Sequence, residues 1–380
     1  MLIEETPSMT QVPRRRRLLG DLDHPRAVIA HLGPNWYASV MGTGIVATTC
    51  LTLPVSFPAR RVLALTFWLL ASAMFVLFTL AWSAHWVRHR RIALGHARNP
   101  AMASFYGAPP MAAMTVGAGT LLIGQDLLGL SLALRIDLVL WVAGAIGGVA
   151  SAVVVPYLMF TRHQLEPTAI FGGWLMPVVP SVVTSACGAL LVPYLPPGQV
   201  RTTLFLGCYA LLGLSLIPSM IITTLIWYRL VMHKPDPGRT VPTLWIVLGW
   251  VGQSVNAMML LGGEAAHSLP PSIRDAAPAV RAIAVLYGMA MLGFALLWIG
   301  QASAVTVWAA RRRMPFALTW WSFTFPLGTV VAGTSAVAHE TGLPALDWLA
   351  VSLFITLILA WTAVAARTLS GSLRGALFLP

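Results

Sequence analysis

The sequence predicts an all-α polytopic membrane protein: ten transmembrane helices, paired as five helical hairpins in a quasi-five-fold arrangement around a central pore. Three observations predict this. Of the 380 residues, 57% are hydrophobic and 9% charged, where a soluble domain carries roughly 25% charged residues. The apolar runs reach the roughly 20 residues that a bilayer-crossing helix needs. They lack two-residue alternation, so helices rather than a closed barrel satisfy the backbone. Finally, one pattern recurs along the chain with the spacing of a helical hairpin.

The elements follow in order. Residues 1–30 read as a basic cytoplasmic tail. RRRR at 14–17 is followed by LLGDLDHPR, with no apolar core of signal-peptide length before the first span. A transmembrane transport domain over 31–368 then holds spans at about 35–54, 62–86, 102–124, 136–160, 172–195, 202–228, 242–263, 280–308, 316–338 and 346–366. Residues 369–380 form a short cytoplasmic tail. With both termini cytoplasmic, 18 of the 24 Lys and Arg residues fall on the cytoplasmic side. The other side receives Arg60, Arg61, Arg135, Arg201, Arg274 and Arg281, and the acidic residues divide evenly. This is the positive-inside pattern, and it accounts for the net charge of +12 without nucleic acid.

The odd spans share a plan. WYASVMGTG, FYGAPPMAAMTVGAG, WLMPVVPSVVTSACG, LWIVLGWVGQSVNAM and WWSFTFPLGTVVAGTS each open on an aromatic residue, reach Pro or Gly, and continue with small residues. With Gly42, Pro110, Pro180, Trp250 and Pro326 as reference points, the spacings are 68, 70, 70 and 76 residues. Of the even spans, the second, eighth and tenth are proline-free and largely Leu, Val, Ala, Ile and Phe. The fourth carries Gly144 and Gly148, suited to close packing. Irregular helix geometry survives in a membrane where it is buried or lines a cavity. The odd spans are therefore expected to face inward, kinked near the membrane middle, and the even spans to face lipid.

Chemistry is limited by what is missing. On these boundaries no Asp, Glu, Lys or Arg lies deep within a span, which argues against a buried carboxylate relay. No nucleophile and base converge, so an enzyme is not expected, nor a cofactor or metal. Cys50, Cys187 and Cys208 sit in apolar runs without metal spacing. His85, His89 and His96 share a basic cytoplasmic loop, read as solvated. Helix breaks present backbone N–H groups and positive dipole ends. Several at one depth would lower the barrier for an anion without a fixed charge. Thr184, Gln253, Ser254, Asn256 and Thr324 are the candidate substrate contacts, and each could instead bond a neighbouring helix. Trp320 and Trp321 are expected in the interfacial aromatic belt. Phe325, just before Pro326, is the candidate hydrophobic gate.

MGTG at 41–44 after PNWY, together with WWSFTFPLG at 320–328, gives the chain its resemblance to the tellurite-resistance/dicarboxylate transporter family. That family includes bacterial tellurite-resistance proteins, fungal malate permeases, fungal sulfite efflux pumps and the slow anion channels of plant guard cells. The resemblance covers about 30–370. It implies a homotrimer with one pore per protomer, occluded by a phenylalanine on the ninth span at the position of Phe325. It puts Gly42, Thr43 and Gly44 on the first pore helix and matches the pore-helix prolines to Pro110, Pro177 or Pro180, and Pro326. The seventh span departs, offering Gly249 and Gly252 mid-span. The implied function is transport of a small anion across the inner or plasma membrane, a C4-dicarboxylate such as malate or an inorganic anion. Sulfite efflux is the alternative, and a membrane-embedded enzyme the less favoured one.

Overall fold

The computed structural model describes residues 19–22, 24, 27–235 and 238–378. The arginine run at 14–17 lies outside the described residues. Among them, every regular element is helical. Ten principal helices are numbered in chain order: α1 (Tyr37–Thr52), α2 (Arg60–Arg88), α3 (Ala108–Gly119), α4 (Leu130–Thr161), α5 (Pro180–Leu191), α6 (Gln199–His233), α7 (Val247–Ser268), α8 (Ala277–Arg311), α9 (Phe325–Thr341) and α10 (Pro344–Arg374).

Seven helical stretches are long and apolar enough to cross a bilayer; α1, α5 and α9 lie outside them. Each odd helix is preceded by a 3₁₀ segment: Pro34–Trp36, Phe105–Gly107, Gly172–Leu175, Val241–Ile246 and Leu318–Phe323. The prolines mark the junctions. Pro109 and Pro110 sit in the first turn of α3, Pro180 begins α5, and Pro326 is the second residue of α9. Proline is tolerated there because first-turn N–H groups have no partner within the helix. The break in each inner span is therefore a 3₁₀-to-α junction near its start, where the sequence predicts a mid-span kink.

The odd helices form a closed ring. α1 packs on α3, α3 on α5, α5 on α7, α7 on α9, and α9 back on α1. Each even helix lies outside, against its odd hairpin partner and the next odd helix along. Burial follows this division. The apolar windows of the α3 and α7 stretches are 72% and 83% buried, whereas those of the even helices are 22–28% buried. Close approach makes the ring possible. A Cβ at Gly252 of α7 would meet the backbone of Thr329 and Val330 on α9, and one at Gly107 would meet the carbonyl of Met176.

The arginines at the end of the bundle opposite the termini are mostly committed. Arg60 donates to the Leu51 carbonyl at the end of α1, and Arg201 to the Leu195 and Pro193 carbonyls after α5. Arg61 pairs with Asp126, and Arg281 with Glu340 at 2.5 Å. These exceptions to the charge asymmetry cap helix ends and pin loops.

One residue departs from the sequence reading. α4 begins at Leu130, before the predicted start at 136, so Asp137 lies two turns inside the helix and is fully buried. An ionisable side chain does sit within a span.

Candidate functional site

All five 3₁₀-to-α junctions converge on one narrow cavity on the ring axis. Its wall is Ala38 and Met41 from α1, Phe105 and Met111 from the α3 junction, Met176 and Val179 before α5, and Ile246 and Gly249 at the start of α7. Leu318, Trp321, Ser322, Phe325 and Pro326 from the α9 junction complete it. The free volume is about 20 Å³, room for about one water molecule. No charged residue lines it. Each lining segment lies within a few residues of an α-helix N-terminus, whose dipole favours negative charge, while the 3₁₀ turns already pair the N–H groups of Tyr37, Ala108, Val247 and Thr324 at the junctions. The walls are apolar, yet five weak positive dipole ends share one space.

Phe325, the first residue of α9, is 5% exposed and lines this cavity, with Pro326 beside it packed against Gly249. Phe323 does not reach it. Its ring packs edge-on against Trp245 at 5.6 Å and Trp320 at 5.7 Å. Trp321 is not a belt residue: it is buried, lines the cavity, and donates from Nε1 to Thr368 Oγ1 of α10 at 3.1 Å. Trp320 donates to the Pro315 carbonyl and lies under the Arg367 guanidinium.

The other sequence candidates divide by the direction they face. Thr43 donates to the Ser39 carbonyl and accepts from Trp361 Nε1 of α10, so it faces outward. Gly42 packs against Trp321 and Thr324, and Gly44 against Thr115 of α3. Thr184 bonds the Pro180 carbonyl and Met114 Sδ on α3. Ser254 donates to the Val251 carbonyl and accepts from Tyr287 of α8 at 2.7 Å. Thr324 donates to the Trp321 carbonyl at the α9 junction. Pro177 presents its carbonyl to Ser151 of α4, and Pro180 packs on Gly107 and Gly148. Pro110 is buried with its ring against Gly147 of α4.

Gln253 and Asn256 behave differently. They lie one and two turns beyond Gly249 on the same face of α7. Gln253 Oε1 is buried without a partner, and Asn256, like Met258 and Leu260 after it, is partly buried. Thr48 of α1, two turns beyond Met41, occupies the corresponding place and is also partly buried. The sequence reading omitted Thr48. Counting seven residues on from Met41 would have found it, since that step returns to the same helix face. Phe325 lies at the apolar cavity, and Thr48, Gln253 and Asn256 lie farther along α1 and α7 from it.

Among the described residues, no three His, Cys, Asp or Glu side chains gather in a way that could hold a metal ion. The loop histidines are nonetheless packed rather than solvated. His85 is fully buried, Nδ1 facing the Ile29 carbonyl at 3.0 Å, so that this nitrogen carries the proton and donates. His96 stacks on His85 with ring centroids 5.2 Å apart.

Comparison with known proteins fits this geometry. Residues 31–369 match the model of the voltage-dependent anion channel family. An uncharacterized transporter of Methanocaldococcus jannaschii is 25% identical over 93% of this chain and 98% of its own length. A sulfite efflux pump of Trichophyton rubrum is 29% identical over 92% of this chain and 93% of its own. A sulfite efflux pump of Candida albicans is 24% identical over 82% of this chain and 67% of its own.

Proposed function

This chain belongs to the voltage-dependent anion channel family, a family of membrane anion transporters, and we propose that it passes small anions along the axis of its five-helix ring, with Phe325 as the gate. The observation that carries this reading is the convergence of five helix N-termini on one uncharged cavity that Phe325 helps to line. A fixed cation there would trap an anion. Dipole ends lower its barrier while binding weakly, which suits throughput. An apolar ring side chain in a space of about 20 Å³ blocks a hydrated ion, so conduction requires the Phe325 ring to swing aside. Beyond it, the Gln253 and Asn256 amides offer N–H donors that replace part of the anion's hydration, whereas the Thr48 hydroxyl already donates to the Ile45 carbonyl.

Among the substrates the sequence leaves open, a C4-dicarboxylate such as malate, an inorganic anion, or sulfite, the relatives favour sulfite: efflux pumps named for it align with most of this chain. The apolar gate supports the same choice. Desolvation rises with the square of the charge, so a monoanion such as hydrogensulfite crosses more easily than a malate dianion. The wider arrangement is ten spans over 31–368 in the inner or plasma membrane, both termini cytoplasmic, and three copies each with its own conduit. The trimer rests on the family resemblance alone.

The test is current through the purified protein in a planar bilayer, with Phe325→Ala against the parent, in chloride, malate and sulfite in turn. A low parent current that rises at least tenfold or so in the variant, with reversal potentials following the anion, is the expected result. Absence of anion current in both proteins overturns the gated conduit, and coupled uptake into vesicles takes its place.

A further inference from the structure

Asp137 is unexplained by the conduit. It lies two turns inside α4, is fully buried, and neither carboxyl oxygen has a hydrogen-bond partner. It faces the ring. Its Oδ1 is 2.5 Å from where a Cβ on Gly117 of α3 would stand, so any larger residue at 117 would collide with it. The same face of α4 continues through Gly144 against Met114, Gly148 against Pro180, and Ser151 bonded to the Pro177 carbonyl. The stripe is otherwise small and well packed. Shape alone does not call for an acid there.

The charged and titratable surroundings are few. On α4 itself Arg135 is exposed and forms no ion pair with Asp137. From α5 the Cys187 thiol lies within electrostatic range, with Cys208 of α6 behind it. The Arg61 guanidinium of α2 is engaged with Asp126. Among the described residues no cation lies within ion-pair distance of Asp137. An intramembrane carboxyl with no cation and no donor is a functional site by its cost alone.

We propose that Asp137 is a proton-binding site, and that its loading and unloading sets the packing of α3 and thereby the conduction of the ring. The event is the simplest available: the carboxylate takes one proton from water and releases it again, with no other bond made or broken. α3 is built to respond. Three residues past Gly117 it passes into a π-helical turn, Thr120–Gly124, pinned by Trp68 Nε1 donating to Thr120 Oγ1 at 3.2 Å. Such turns are loosened helix and recur at functional positions. With the proton bound, α4 closes dry against Gly117, as in this structure. Without it, the anionic carboxyl draws in water and parts α4 from α3 beside that turn. Leu134 and Trp141, one turn to either side of Asp137, line a mostly apolar surface cavity of about 590 Å³ that also reaches Arg135 and Gln199.

The inference rests on anion conduction, and its test separates the two. Chloride current is measured in the Phe325→Ala protein as pH is varied on each side of the bilayer, with and without Asp137→Asn. Chloride is the probe because its own charge does not titrate, unlike that of sulfite. The parent current is expected to depend on pH by up to about tenfold per unit, the limit for one proton. Asp137→Asn, fixed in the neutral form, should show the acid-limb current at every pH. An unchanged pH profile in Asp137→Asn overturns the proposal. Absence of chloride current in Phe325→Ala instead strikes the conduction reading. The site is then read directly, by infrared difference spectra between acid and alkaline pH. A buried carboxylic acid band that disappears in Asp137→Asn supports it, and identical spectra sink it. Should Asp137→Asn not purify folded, Asp137→Ser, smaller and equally untitratable, serves in both measurements.

Discussion

The inner and outer helices are made from nearly the same apolar vocabulary and obey different rules. α2, α4, α6, α8 and α10 are long, continuous, and more than two-thirds unburied over their apolar windows. Their outward faces meet lipid, which is indifferent to detail. α3 and α7 are largely buried, and all five odd helices start from 3₁₀ segments and prolines. A ring that leaves a conduit on its axis needs backbones close together at its seams and helix starts facing the axis. Glycine meets the first requirement and proline at the first turn the second. The lesson is that irregularity here is confined to the helices that bound the axis.

The sharpest way to break this comparison is to add one methyl group to each class. Gly252→Ala drives a Cβ into the Thr329–Val330 backbone of α9, which cannot yield as a side chain would. A loss of about 3 kcal/mol or more is expected, at or above the upper end for overpacking. Gly293→Ala, on α8, meets no atom within 4 Å and improves helix propensity. It should be neutral or stabilising by a few tenths of a kcal/mol. Thermal unfolding of the two purified variants in detergent checks this. Equal losses would mean that the ring seam is no tighter than the lipid-facing side.

The comparison sharpens within a single ring helix class when polar residues are changed. Thr43 and Asn256 are both polar and both inner. Thr43→Val strands the buried Trp361 Nε1 and should cost about 1–3 kcal/mol of stability while sparing conductance. Asn256→Leu should do the reverse. It removes a donor from the conduit face, and losing a hydrogen bond of about 1.5 kcal/mol to an anion slows passage roughly tenfold. Unfolding and single-channel measurements on both variants decide it. If Thr43→Val lowers conductance and Asn256→Leu does not, the facing directions assigned to the two are wrong.

The hairpin repeat and the aromatic opening of each odd span were legible because both are periodic, and periodicity survives without tertiary knowledge. The ring order followed from the same repeat. Other features were not legible for identifiable reasons. Pro110, Pro180 and Pro326 read as mid-helix breaks, since sequence alone cannot tell a proline inside a helix from one that begins a helix after a 3₁₀ turn. Asp137 escaped notice because Arg135 made residues 130–136 look like a loop, whereas α4 carries that arginine to the surface and the acid inward. Trp321 was assigned to the interface by its neighbour, although successive residues of a 3₁₀ turn point about 120° apart. Thr184 and Ser254 were chosen as midplane polar groups, and their partners on α3 and α8 were invisible before the fold.

The smallest expected effect lies at the edge of the bundle nearest the termini, where the described part of the N-terminal segment meets the bundle through His85 and Ile29. His96, on the loop helix Arg90–Arg98, has its pKa lowered from 6.5, first by burial and then by the neighbouring His85 and His31. A histidine whose folded pKa is lowered is held neutral by folding. The unfolded or undocked state then binds the extra proton first, so stability is full above about pH 6.5 and declines as pH falls toward the lowered value. Because the ring is partly exposed, the loss should be at most about 1 kcal/mol. Hydrogen exchange of the Ala27–Ala30 amides should therefore quicken several-fold on acidification from pH 7.5 to 5.5, after correction for the intrinsic rate. In His96→Gln, which cannot take the proton, the corrected rate should stay level. Identical acid loosening in that variant would shift the effect to another group and leave the stacked histidines as packing alone.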